Sequence, residues 1–155
     1  TIRIVVRSDK NPASSNYYID VDGFGVVAGG PSVDDTSSAV TYSGAWSSNG
    51  NPNVGYYNDT FHYSNTPGAY AEYAFSGTSV SFYGSRNFDN GKADIYIDGV
   101  LDQTIDRYSP TTVKQQLLYS RAGLAPGSHT IRIVVRSDKN PASSNYYIDV
   151  DGFGD

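Results

Sequence analysis

The sequence of 155 residues contains no cysteine and no methionine, and its acidic residues include a single glutamate, Glu72. Without cysteine the chain forms neither disulfides nor thiolate metal sites, so packing alone must stabilise its fold. No apolar run approaches the roughly 18 residues that a membrane-spanning helix requires, and we expect no membrane insertion. An initiator methionine and a signal peptide are also missing, as we expect of a piece excised from a longer protein.

Positive charge is scarce as well. The chain has 11 Lys and Arg against 16 Asp and Glu, which gives a formal net charge of -5. The few basic residues are scattered along the chain, whereas a nucleic-acid-binding protein groups them on one face to neutralise phosphates. We therefore expect no nucleic-acid partner.

Strand-forming and turn-forming residues are abundant. Aromatic residues make up 14 % of the chain, and 14 residues are tyrosine; Gly, Ser, Asn, Asp and Thr fill much of the remainder. Short segments at 39–46, 69–75, 79–83 and 93–97 are typical of strands, and Asp98-Gly99 predicts a tight hairpin turn. The sequence therefore predicts an all-β fold, an antiparallel β-sandwich of about eight strands.

One segment occurs twice. Residues 1–25, TIRIVVRSDKNPASSNYYIDVDGFG, recur without a substitution at residues 130–154, which indicates a tandem array. Residues 1–25 are then the terminal strand pair of a preceding repeat, residues 26–32 a linker, and residues 33–154 a complete β-sandwich repeat. Because one sandwich has one place for its final strand pair, we expect the spare copy to pair with a neighbouring chain or repeat by strand exchange.

Three motifs carry a family resemblance: GTSV at residues 77–80, ADIYIDG at 93–99 and LAPGSHTI at 124–131. With them, residues 33–153 resemble galactose-binding-like jelly-roll domains, the non-catalytic carbohydrate-binding modules appended to bacterial glycoside hydrolases and cell-surface proteins. The resemblance implies a jelly-roll arrangement of the sandwich. It also implies a role in carbohydrate binding or as an inert spacer, since such domains serve as both.

A sugar site needs aromatic rings for the apolar face of a pyranose and planar polar side chains for its hydroxyl groups. The loop at 84–91, GSRNFDNG, is the better candidate because its polar side chains have little reason to be buried, although a solvated turn would also explain it. The candidate aromatic residues could equally fill the core. The residues predicted to bind carbohydrate are Trp46, Tyr57, His62, Tyr63, Arg86, Asn87 and Asp89.

Four aspartates lie near the ends of the predicted repeat: Asp34 and Asp35 at its start, and Asp149 and Asp151 in its last strands. An arrangement that joins the two ends would gather up to four carboxylates, and calcium takes roughly six to eight oxygen ligands. The resemblance also implies a structural calcium near the chain ends. The alternatives are a capping or hydrogen-bonding role for Asp35 and an exposed strand edge with an Asp-Gly turn at residues 148–152. We predict no required cofactor, with structural calcium as the one candidate.

Catalysis is not expected. A glycosidase requires two carboxylates across a cleft, and the one glutamate, Glu72, lies in an alternating strand. His62 and His129 have no sequence context of a nucleophilic triad.

The sequence therefore favours a non-catalytic, extracellular β-sandwich repeat of a bacterial surface protein or filament, either on the cell surface or secreted. Its role would be structural or adhesive, its partners would be neighbouring repeats of the same protein, and repetition would turn weak contacts into avidity. The alternative is a carbohydrate-binding module with a shallow aromatic site and glycans as partners.

Overall fold

Short antiparallel strands dominate the fold, as the sequence predicts. A computed structural model describes residues 30–154, which form an antiparallel β-sandwich with one turn of 3-10 helix at Tyr57–Asp59. Nothing in this described range is a helix long and apolar enough to cross a bilayer. Ten strands occur in these residues: β1 (Val33–Asp34), β2 (Val40–Ser43), β3 (Ser47–Asn49), β4 (Phe61–Ser64), β5 (Tyr70–Arg86), β6 (Lys92–Ile97), β7 (Val100–Asp106), β8 (Val113–Val135), β9 (Ile148–Val150) and β10 (Gly152–Gly154).

The strands form two sheets. The larger has the order β1-β10-β5-β8-β6-β7, with β2 paired to the first part of β5, and the smaller has the order β3-β4-β9. Strands β9 and β10 follow one another in the chain but belong to different sheets. The last segment of the chain therefore ties the two sheets together.

Two strands are longer than the sequence predicts. β5 joins the predicted strands 69–75 and 79–83, and β8 runs through the Gly- and Pro-containing segment at 123–127. The pairing shifts register between Gly77 and Ser79, because Gly77 lies opposite Gly127 whereas Ser79 lies opposite Ala122. The turn-forming residues thus make an irregularity within one long pair of strands. The Asp98-Gly99 turn forms as predicted, with positive φ angles of 51° and 77°.

Period-two alternation builds the core. Ile95 on β6 and Ile131 and Ile133 on β8 are completely buried, while their neighbours along the chain face outward. The Phe153 ring stacks on the Tyr73 ring, with 4.8 Å between the two ring centroids. Both sheets contribute, since the core cluster includes Ile148 and Val150 of β9.

The carboxy-terminal copy of the duplicated segment fills the sandwich. Its residues 130–154 supply the end of β8, all of β9 and all of β10, which pair with β5, β4 and β1 among others. The predicted preceding strand pair, residues 1–25, lies outside the described residues, as does most of the predicted linker. Strand exchange by that copy stays a prediction.

Gly152 permits the closest approach between strands. A Cβ atom built on it would lie 2.4 Å from the Val33 carbonyl oxygen and 2.8 Å from Pro31 Cβ. Val33 belongs to β1 and Pro31 lies just before it, so neither can move away without breaking the β1–β10 pairing. Only glycine fits this position.

We expect Gly152→Ala to lower the free energy of unfolding by about 1–3 kcal/mol, the usual cost of an extra methyl in a filled space. Gly77→Ala is the matched control, since a Cβ there has nothing within 4 Å. Urea unfolding of both variants makes the comparison. Equal losses of stability would contradict the proposed close approach.

Candidate functional site

A concave site lies on the small sheet, on the face opposite to the core residues Ile148 and Val150. Phe61 and Tyr63 of β4 project to this face, as does Asp149, which is paired with Tyr63. The segment after β5 forms the opposite wall. We call this cavity of about 300 Å³ the sheet pocket; it is lined by Asn49, Tyr56, Phe61, Tyr63, Ser85, Asn87, Asp89, Asn90, Tyr147 and Asp149.

Four aromatic rings form a continuous row along the sheet pocket. Tyr56 stacks on Phe61 with 4.1 Å between centroids, Phe61 lies 5.6 Å from Tyr63, and Tyr63 meets Tyr147 edge-on at 6.0 Å. Tyr56 is buried, whereas the other three rings are half-buried. This aromatic row therefore leaves apolar ring surface open to the pocket.

A buried ion pair forms the floor. Arg107, which is completely buried, places Nη2 2.6 Å from Asp149 Oδ1 and donates through Nη1 to the Asp149 carbonyl oxygen. Arg107 also donates to the carbonyl oxygen of Ser85, whose own N–H and hydroxyl donate to the Asp149 carboxylate at 2.8 and 2.6 Å. Burial lowers the pKa of Arg107 and Asp149 opposes this effect. Every charged atom of the floor is thus engaged within the protein.

The polar wall is held in place by its own hydrogen bonds. Asn90 Nδ2 donates to the Ser85 carbonyl oxygen at 3.1 Å, and the Asn90 backbone bridges to Tyr147. Asn87 Oδ1 accepts a hydrogen bond of 2.6 Å from the Thr112 hydroxyl. The predicted loop at 84–91 is therefore an ordered wall rather than a solvated turn.

Asp89 is the exception in this wall. Its side chain lines the pocket, yet its Oδ1 is buried and has no hydrogen-bond partner among the described residues. Burial raises the pKa of Asp89, and the nearby charge of Asp149 raises it further. The wall thus contains one carboxylate with unmet hydrogen-bonding capacity.

Three of the predicted sugar-binding residues come together in the sheet pocket: Tyr63, Asn87 and Asp89. The other four have structural contacts elsewhere. Trp46 packs against the core and donates to the Ser43 carbonyl oxygen, and His62 stacks on Tyr42. The Tyr57 backbone N–H donates to Asp151, and Arg86 donates to the Asp106 carbonyl oxygen.

Sequence reasoning missed Phe61 and Tyr147 of the aromatic row. The alternation in FHYS at residues 61–64 indicates Phe61. Residues two apart in a strand lie on the same face, so Phe61 is expected beside Tyr63. The same rule connects Tyr147 with Asp149. Nothing in the sequence marks Arg107 as the partner of Asp149, since the two are distant in the chain.

The predicted metal ligands divide into two groups. Asp34, Asp35 and Asp151 lie together and form the acidic cluster, whereas Asp149 is engaged by Arg107. Asp35 is completely buried and lies 2.5 Å from His62 Nδ1, with a further hydrogen bond of 2.6 Å from Thr60.

Asp151 is the least satisfied member of the acidic cluster. Its Oδ1 accepts the Tyr57 N–H at 2.7 Å, but its buried Oδ2 has no partner among the described residues. Burial raises the pKa of Asp151 to about 7, and the charges of Asp149, Asp35 and Asp34 contribute. Across residues 30–154, no group of three or more His, Cys, Asp or Glu side chains is placed so that it could hold a metal ion.

A second, more open groove lies near the β6–β7 turn, between the facing segments of β5 and β8. Its aromatic residues Tyr73 and Phe75 are only 3 % and 6 % exposed. His129 binds Asp98 through Nδ1 and the Ala125 carbonyl oxygen through Nε2, both at 2.7 Å. The ring faces and the histidine are already engaged, so the sheet pocket is the better candidate.

The chain is similar to one known protein family and to two curated proteins. The family model for carbohydrate esterase 2 N-terminal domains matches residues 54–149. An A type blood N-acetyl-alpha-D-galactosamine deacetylase of Flavonifractor plautii is 42% identical over 102 residues, which cover 66% of this chain and 13% of that protein. An A type blood alpha-D-galactosamine galactosaminidase of the same organism is 36% identical over 144 residues, covering 86% of this chain and 12% of that protein.

Among solved structures, the CBM36-1 domain of a multidomain xylanase from the hindgut metagenome of Trinervitermes trinervoides superimposes with a TM-score of 0.52 at 19% identity. The match covers 78% of this chain and 91% of that domain. It confirms the predicted jelly-roll sandwich. The chain spans only about an eighth of the length of the two curated relatives.

The ion pair of the floor gives a test of the site's construction. Arg107→Met leaves the Asp149 carboxylate buried without its cation, and we expect the free energy of unfolding to fall by about 3–5 kcal/mol. Arg136→Met is the control: that guanidinium also contacts two aspartates, but it is 35% exposed, so the loss should stay within about 1 kcal/mol. Denaturant unfolding that gives similar losses for both would contradict a buried, essential pair.

Proposed function

We propose that this chain, which belongs to the carbohydrate esterase 2 N-terminal family, is a non-catalytic module that binds carbohydrate in the sheet pocket. The observation that carries the proposal is the aromatic row, whose half-buried rings face a wall of fixed polar side chains. Phe61, Tyr63 and Tyr147 offer ring surface to the apolar face of a pyranose. Asn87 and Asp89 lie where hydroxyl groups of the same sugar need partners.

The size and rigidity of the pocket support a small, pre-formed binding site. A volume of about 300 Å³ lies at the lower end of the range for ligand pockets, which suits a short saccharide rather than a long chain. Because the loop after β5 is fixed by backbone bridges and by the Arg107–Asp149 pair, little ordering is needed when a ligand binds. Pre-organisation of this kind lowers the entropic cost of association.

The floor supports a binding role over hydrolysis. Glycoside hydrolysis uses two carboxylates that flank the bond, one of them able to donate a proton. Asp149 accepts hydrogen bonds from Arg107 and Ser85 and is held as part of the scaffold. We therefore propose that the pocket recognises sugar and that any chemistry belongs to other parts of the parent protein.

The two curated relatives suggest the setting of this module. One is named as an A type blood N-acetyl-alpha-D-galactosamine deacetylase and the other as an A type blood alpha-D-galactosamine galactosaminidase, and the chain matches about an eighth of each. We propose that the module brings a carbohydrate-active protein to its substrate outside the cell. The structural and adhesive role of tandem repeats stays a prediction, because the first copy of the duplicated segment lies outside the described residues.

Removal of one ring tests the sugar site. We expect Tyr63→Ala to weaken binding of galactose-type and glucose-type methyl glycosides on the order of tenfold, or about 1.4 kcal/mol, because it interrupts the aromatic row at its centre. Tyr96→Ala, a half-buried tyrosine of the large sheet outside the pocket, should bind as the unmodified protein does. Titration calorimetry compares both variants with the unmodified protein, and circular dichroism verifies their folding. Unchanged affinity in a folded Tyr63→Ala variant would contradict the proposed site.

We further propose that calcium binds the acidic cluster and stabilises the junction of the chain ends. The residues fit the ion in chemistry, since Asp34, Asp35 and Asp151 supply carboxylate oxygens and Oδ2 of Asp151 is buried without a partner. Thr60 supplies a neighbouring hydroxyl oxygen. Support also comes from the repulsion that the charges of Asp35 and Asp34 exert on Asp151, which a divalent cation would relieve.

The pH dependence of stability gives the test. The raised pKa of Asp151, about 7 in the fold, means that this group is ionised in the unfolded chain but protonated in the fold between roughly pH 4 and 7. With chelator present, the melting temperature should therefore fall as the pH rises from 5 to 8. Added calcium should raise it more at pH 8 than at pH 5.

The variant Asp151→Asn should lose both the pH dependence and the calcium response, because it removes the titrating group and a ligand together. Asp138→Asn, a surface aspartate beside Arg136, should retain both over the same pH range. A calcium response that survives in Asp151→Asn would place the ion elsewhere, and the absence of any response in the unmodified protein would refute the calcium site.

A further inference from the structure

We infer that the sheet pocket selects an amino sugar with a free, positively charged amino group over its N-acetylated or hydroxyl counterparts. The inference rests on the proposed function, since it assigns a ligand class to the same pocket. The group that carries it is the Asp89 carboxylate, whose buried Oδ1 has no hydrogen-bond partner among the described residues. An ammonium group supplies both the missing donor and the missing countercharge.

The charge balance of the pocket favours a cation. Asp89 and Asp149 place two carboxylates at the wall and floor, and Arg107 supplies one guanidinium, which is fully engaged with Asp149 and Ser85. One negative charge therefore remains uncompensated at Asp89. A hydroxyl group could also donate a hydrogen bond to this carboxylate, but only the ammonium ion adds a positive charge that compensates it.

The aromatic row indicates where the ammonium would lie. The Tyr147 backbone N–H donates to the Asp89 carbonyl oxygen at 3.2 Å, so Asp89 stands at the Tyr147 end of the row. The opposite end is already occupied by a cation, because Lys114 Nζ lies 5.1 Å from the centre of the Tyr56 ring. Tyrosine rings attract cations through their faces. The amino group is therefore expected between Asp89 and Tyr147, with the pyranose ring extending over Tyr63.

The Asp89 carboxylate can be reached from the pocket, because the residue is half-buried and lines it. The carboxylate also rotates broadly about its terminal torsion, so it can adjust to a ligand without a change of backbone. The backbone of this segment is fixed by the contacts of Asn87 and Asn90 described above. The binding site thus has a rigid frame with one adjustable carboxylate.

The test compares three methyl α-galactosides by titration calorimetry at about pH 7 on the full chain: those with a 2-amino, a 2-acetamido and a 2-hydroxyl group. We expect the 2-amino sugar to bind on the order of tenfold more tightly than the other two. Asp89→Asn, which keeps the shape and removes the charge, should abolish the preference for the 2-amino sugar. Asp138→Asn, a surface aspartate, should leave the preference intact.

A second readout uses the unmodified protein alone. The preference for the 2-amino sugar should shrink as salt rises, because the charge-assisted contact is partly screened. Equal binding of the three sugars, or tighter binding of the 2-acetamido form, overturns the inference while the carbohydrate-binding function stands. If no sugar binds and Tyr63→Ala behaves as the unmodified protein, the proposed function itself fails and this inference with it.

Discussion

The buried pair of Arg107 and Asp149 holds the architecture of the site together. Arg107 follows β7 of the large sheet, Asp149 lies in β9 of the small sheet, and Ser85, which binds both, is the last residue but one of β5. One guanidinium thus connects three strands from two sheets. A buried charge without its partner is strongly destabilising, so these three segments must stay together in the folded protein. The sheet pocket lies above their junction.

This junction explains why the pocket is polar on one side and aromatic on the other. The polar wall follows from β5, whose end must stay close to Arg107. The alternation of β4 places Phe61 and Tyr63, the central rings of the aromatic row, on the facing side. Gly84 shows how tight the packing is, since a Cβ there would lie 2.8 Å from Arg107 Nη2 and 2.9 Å from the Asp149 carbonyl oxygen. Rigid scaffolding below and open ring surface above are what a recognition module needs in order to bind a flexible, hydrated ligand.

The fold was largely predictable because its signals are local. Alternation in 93–97 and 130–136, the Asp-Gly turn at Asp98 and the scarcity of helix formers all report on neighbouring residues. The long strands β5 and β8 were not predictable, since the sequence at Gly77 and Gly127 reads as turns and only their pairing across the sheet keeps the strands continuous.

The site was predictable only in part. Asn87 and Asp89 could be chosen because polar residues in a Gly-bounded loop have little reason to be buried, and Tyr63 because a sugar site needs aromatic rings. The partnership of Arg107 with Asp149, and with it the removal of Asp149 from the acidic cluster, depends on contacts between segments distant in the chain. His62 is the converse case, a functional candidate in sequence whose ring is engaged by Asp35 and Tyr42.

The central claim is that saccharide binds above the Arg107–Asp149 junction, and chemical-shift mapping of backbone amides during a sugar titration tests it most directly. The account predicts that the perturbed amides belong to residues 61–64, 85–91 and 147–149, while those around the Asp98-Gly99 turn stay unchanged. Shifts confined to the groove beside that turn, or no shifts in a folded protein with any of the sugars offered, would contradict it.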